Sequence, residues 1–270
     1  MIAGVAARSL YEALVAHEGV DEAAVAAWLD RARGAYRERL ATTAAYRPWW
    51  TGTAPDGQAL LRELYALSRV GDLLLHEERA YLGLFTPLGM TPFKGGTFDP
   101  FLHEIVEVEQ ADDPRAPIEI TAVEWAGLML GQLLFSRAGV RVRAGADHAQ
   151  RGVADRSPLY WTFRRGHRPT VDLSHGWGHN SQWRTDFRLD YRTSDGDRLN
   201  VAGHDPIDGR PDLDPDHPAN LSPEERLLTP GERRELLRHR CLLRVPRAAD
   251  ALARTPGWEL DLMPFDWRLP

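Results

Sequence analysis

Cysteine is nearly missing from this 270-residue chain: Cys241 stands alone, so no disulfide can close within it. Lysine is just as scarce, with Lys94 the single one among 33 basic residues and arginine supplying the rest. No run of 18 apolar residues occurs, and Met1 to Arg8 is too short for a charged-then-apolar leader, which makes a cytoplasmic location the expectation. A formal charge of −6 and a pI near 5.9 give no ground for a general attraction to nucleic acid or to an anionic membrane, since both need clustered cations. Several reaction signatures are missing too: there is no Gly-rich phosphate loop, Gly-x-Ser-x-Gly elbow, paired Cys-x-x-Cys or dinucleotide fingerprint. The length is nonetheless ample for a core that needs no covalent staple.

The apolar periodicity predicts an α+β fold with a helical N-terminal region over 1–90 and an α+β region over 91–270, expected to form one compact unit. Leu10, Leu14 and Val15 recur at helical spacing, Asp21 suits the cap of a second helix through Val25, Trp28 and Tyr36, and Leu60 to Leu74 mark a third stretch ending before Gly83. A central, mainly antiparallel sheet is expected from alternating runs at Leu159–Phe163, Val140–Arg143 and Thr185–Tyr191, with a turn at Ser194–Asp197 and a return arm at Leu199–Val201. Glu124 to Phe135 reads as a helix. Short C-terminal helices follow from two capping boxes, Ser222-Pro223-Glu224-Glu225 and Thr229-Pro230-Gly231-Glu232. The Asp- and Pro-rich stretch 203–220 reads as a hydrated loop. Asp212, Asp214 and Asp216 start like a calcium loop, but His217 and Pro223 fall where glycine and glutamate are required. Cys241 opens Cys-Leu-Leu-Arg-Val, the pattern of a buried strand with a core thiol.

The densest set of chemically capable residues lies at 174–187. Gly176 and Gly178 allow His175 and His179 to converge, as two ligands of one metal ion would, while Trp177, Asn180, Gln182 and Trp183 furnish aromatic and amide contacts and Arg184 a charged one. The competing reading is a Trp-rich loop whose imidazoles and amides satisfy turn hydrogen bonds. A second set is His103-Glu104-Ile105-Val106-Glu107. On a strand Glu104 would interrupt an apolar face, and on a helix His103 and Glu107 would meet one turn apart; the competing reading is a solvated, charge-blunted edge. His103 completes a three-imidazole metal set, with Glu104 or Glu107 as acid or base.

Arg164 and Arg168, with Arg184, offer bidentate contacts to an anion, and Lys94 beside Gly95 and Gly96 offers a further cation. Alternation sends Arg184, Arg188 and Arg192 to one face with Asp186 and Asp190, which reads as a charge-neutralised solvated surface. The leading expectation is a polar-aromatic pocket for a small molecule, with a transition metal (Zn or Fe) or haem as the candidate cofactor and metal-assisted hydrolysis or oxidation as the candidate chemistry. The alternative is a non-catalytic interaction protein, an inhibitor or immunity-type partner, that anchors a protein partner through exposed Trp and Arg.

Overall fold

A computed structural model of the chain describes residues 6–17, 20–48, 55–156, 187–255 and 266–269. Four helices open it: α1 (Ala7–Val15), α2 (Glu22–Ala41), α3 (Pro55–Leu74) and α4 (Glu78–Phe85). Each buries residues three and four apart, such as Val25, Trp28, Ala32, Tyr36 and Leu40 on α2, so the stripe that defines the helix is also the face it packs. Asp21 caps α2 by accepting from the Ala24 amide, as its position predicts. The helical pattern runs further than expected, because α4 continues through Gly83 to Phe85.

Strands β1 (Thr91–Phe93), β2 (His103–Gln110), β3 (Glu119–Trp125), β4 (Gly127–Leu130), β5 (Leu133–Ser136) and β6 (Ala138–Ala144) come next. After them lie β7 (Tyr191–Thr193), β8 (Gly196–Arg198) and β9 (Asp205–Pro206), then helices α5 (Pro230–His239) and α6 (Pro246–Ala253), and last β10 (Trp267–Arg268). The class is therefore α+β, with a helical N-terminal region and short C-terminal helices. Among the described residues, no helix is long and apolar enough to cross a membrane.

The chain divides into two compact units, one of 1–94, 125–137 and 165–197, the other of 95–124, 138–164 and 198–270. In the first, the strand order is β1-β4-β5-β7-β8, and β1–β4, β4–β5 and β5–β7 are antiparallel. The helix expected over Glu124–Phe135 is here the β4–β5 hairpin. Gly131, with φ +58, makes the two-residue turn that a helix could not contain, and a Cβ there would stand 2.5 Å from the Ala44 carbonyl oxygen. The turn expected at Ser194–Asp197 is tighter, since β8 already begins at Gly196 and Arg192 reaches back to Asp197 at 2.8 Å.

The helices of this unit are also clasped by buried polar groups. Glu63 accepts from the Tyr36 hydroxyl and, at 3.1 Å, from the first amide of α1, that of Ala7. Arg69 bonds Asp72 at 3.1 Å and the Tyr11 hydroxyl at 3.2 Å.

In the second unit the order is β2-β6-β3, and β2 runs parallel to β6 with a register shift between Ile105 and Glu107. Ile105, Val108, Val140 and Val142 form its core with Cys241 and Leu243. Cys241 is a core thiol as expected, although residues 241–245 bend and form no strand. The Thr229 box holds as read: Thr229 and Glu232 each accept from the other's amide and start α5. The Ser222–Glu225 pair makes the same reciprocal bonds but starts only a short 3₁₀ turn. Buried Arg233 draws that turn in by donating to the carbonyls of Ile207 and Leu228, each at 2.6 Å.

Candidate functional site

Of the residues singled out above, Lys94, His103, Glu104 and Glu107 are among those the structure describes. Arg164, Arg168, His175, Trp177, His179, Asn180, Gln182, Trp183 and Arg184 lie outside the described residues, as does the strand expected at Leu159–Phe163.

His103 and Glu104 open β2, settling the strand-or-helix alternative in favour of the strand. Both are buried, each 2% exposed, so the expectation of a solvated edge fails at this end of β2. It holds at the other end: Glu107 and Glu109 are exposed, and the parallel register sets them against Arg141 and Arg143, with ion pairs of 3.2 and 3.4 Å. The register shift after Ile105 explains the change. One extra residue reverses the alternation, so Glu104 and Ile105 are both buried while Glu107 turns outward.

The ring of His103 is fixed by the turn that precedes it. Asp99 accepts from the Leu102 and His103 amides through its carbonyl, at 3.0 and 2.8 Å, and from the Phe101 amide through its carboxylate at 2.9 Å. The Asp99 amide in turn donates to Nδ1 of His103 at 3.0 Å. Phe98 lies over the same ring at 6.0 Å and faces the ring of His239 on α5 at 6.5 Å. Lys94 is half exposed and paired with Glu78 at 2.6 Å, so its charge is met by a side chain of its own unit.

A second charged group was not found from sequence as a site. Alternation places Arg188 and Asp190 on a solvated face, yet they are 3% and 0% exposed, and residues 187–190 precede the strand that starts at Tyr191. Asp190 is held between two guanidinium groups: Arg188 Nε donates to one carboxylate oxygen at 2.8 Å, and Arg137 Nη2 stands 3.6 Å from the other. Arg137 is itself 1% exposed, and its carbonyl accepts from the Trp125 indole at 3.0 Å. The Asp190 carbonyl accepts from the Leu134 amide, which ties the group to β5. A signal was present in the sequence, because Ser136 and Arg137 interrupt the apolar stretch Leu133–Val140 just where a sheet interior continues. Next to this group, the Tyr191 phenol is buried and has no hydrogen-bond partner among the described residues; burial pushes it well above the usual phenol range.

Among the described residues, no group of three or more His, Cys, Asp and Glu side chains is arranged to hold a metal ion. No protein-family model, no curated protein and no solved structure matches this chain.

Proposed function

We propose that the protein binds a small polar molecule through the segment 174–184. In this reading His175, Trp177, His179, Asn180, Gln182 and Trp183 make the contacts, and Arg164, Arg168 and Arg184 meet an anionic part of the ligand. The observation that carries it is the buried Arg137–Asp190–Arg188 group, whose Arg188 follows Arg184 by four residues in the chain. Taking three charges out of water costs several kcal/mol per ion before their attraction offsets it, so a chain that keeps them inside has a use for fixed charge. A fixed, buried ion group is a rigid base from which neighbouring contact groups can hold their geometry.

Two convergent imidazoles would also take Zn or Fe, or a haem, and in that branch the chemistry is metal-assisted hydrolysis or oxidation. The interaction-protein alternative calls for exposed Trp and Arg; among the described residues Arg79 and Arg115 are exposed, whereas the tryptophans are not. Trp28, Trp125 and Trp267 are core residues there, and Leu227 is the one large apolar side chain that is exposed.

The test is denaturing extraction of the freshly purified, non-chelated protein, followed by small-molecule mass spectrometry and metal analysis, repeated on a His175→Ala/His179→Ala variant of unchanged circular dichroism. A stoichiometric small molecule or metal that the variant loses is the expected result. Wild-type protein that releases neither, yet retains a copurifying protein that a Trp177→Ala/Trp183→Ala variant loses, would overturn it.

A further inference from the structure

The bond that fixes His103 also decides which of its nitrogens carries the proton. A backbone amide can only donate, so the Asp99 amide at 3.0 Å requires a lone pair on Nδ1. A neutral imidazole has one donor and one acceptor nitrogen, and the proton therefore sits on Nε2. The other bonds of the turn, from the Phe101, Leu102 and His103 amides to Asp99, leave that amide in place, and Phe98 covers the ring. With the ring 2% exposed, no water replaces the amide if the ring rotates.

This is the reverse of what a metal-binding histidine needs. Such a residue gives a lone pair to the ion from one nitrogen and donates from the other to a carboxylate or carbonyl, which fixes the tautomer and strengthens the ligand. In His103 the nitrogen away from any ligand faces a donor. For Nε2 to bind a metal, its proton would have to move to Nδ1 and two N–H groups would then face each other across the turn.

We infer that His103 is a positioned hydrogen-bond donor through Nε2–H, and that the atom it serves is an oxygen acceptor of the chain or of a bound carbonyl, carboxylate or phosphate, never a metal ion. The tautomer follows from the turn alone; only the ligand's chemistry rests on the small-molecule reading above.

The experiment is two-bond ¹⁵N–¹H correlation NMR on the full chain labelled in its histidine rings, with the His103 pattern assigned by its loss in His103→Gln. An unprotonated Nδ1 and a protonated Nε2 are expected, and excess zinc sulfate is expected to leave both shifts unmoved. A protonated Nδ1, or an Nε2 shift that moves to the metal-bound range with zinc, overturns the inference. Melting temperatures supply a second measurement that does not depend on assignment. His103→Asn places an amide oxygen where Nδ1 was and keeps the acceptor, whereas His103→Gln copies only Nε2, so the Asn variant is expected to melt higher; the opposite order counts against the inference. Failure of the extraction experiment would leave these outcomes untouched, and a reversed tautomer would leave the extraction result standing.

Discussion

Asp190 and Tyr191 are neighbours in the chain and opposites in energetics. Asp190 meets Arg188 with one oxygen and Arg137 with the other, so Asp190→Asn keeps the shape and removes the charge that holds two buried guanidinium groups. Breaking a buried pair from one side costs about 3–5 kcal/mol, because the partner charge stays buried. Denaturant unfolding is expected to show a loss of that size; a change below about 1 kcal/mol would mean that the group is solvated in solution. The Tyr191 hydroxyl, in contrast, is buried with no partner among the described residues. Tyr191→Phe is therefore expected to be neutral or stabilising within about 1 kcal/mol, and a clear loss in the same assay would show that the hydroxyl has a hydrogen-bond partner beyond the described residues. Neither outcome was legible from alternation. The charges of Arg188 and Asp190 were themselves the reason for placing them in solvent, so a charge pair neutralised inside the protein looks from sequence like one neutralised at its surface.

Elements were legible where a local signal acts alone, and illegible where two periods fit one run. The Thr229–Glu232 box is local: its bonds close within one turn, so the start of α5 followed from four residues. Thr229→Ala should lower stability by about 1 kcal/mol in thermal melts, and an unchanged melting temperature would show that packing of α5 holds its first turn unaided. Glu124–Phe135 is the other kind, since its apolar residues satisfy a helical stripe as readily as two strands. What decides between them is Gly131, whose left-handed φ and approach to Ala44 belong to tertiary structure. Gly131→Ala must adopt a conformation costing roughly 1–2 kcal/mol and also displace the Ala44 carbonyl. A loss above about 2 kcal/mol is expected, and a smaller one would imply that the β4–β5 turn relaxes freely. The candidate site divides in the same way. His103 and Glu104 were legible as residues able to do chemistry, but their burial depends on the register shift in β2, and the proton position of His103 depends on a turn closed by Asp99.

For the molecule as a whole, a composition of one lysine and seven tyrosines turns attention to the phenols in the alkaline limb of its stability. Tyr36 and Tyr191 both have phenols raised above their ordinary value. Burial is the larger cause for Tyr36, with the Glu63 carboxylate and its hydrogen bond adding to it, and burial alone acts on Tyr191. In the unfolded chain a phenol ionises near its ordinary value of about pH 10. Above that pH the unfolded state has lost protons that the folded state keeps, so unfolding releases protons and stability falls as pH rises. The contribution is complete below about pH 10 and is lost as pH climbs from there through the raised folded-state values. Two such groups give a limb of about 2.7 kcal/mol per pH unit at full development, half from each. Urea unfolding at stepped pH, wild type against Tyr191→Phe, isolates one of them, because every other titrating group is common to both chains. The variant should lose stability about half as steeply above pH 10, and parallel curves would show that the Tyr191 phenol is as accessible folded as unfolded.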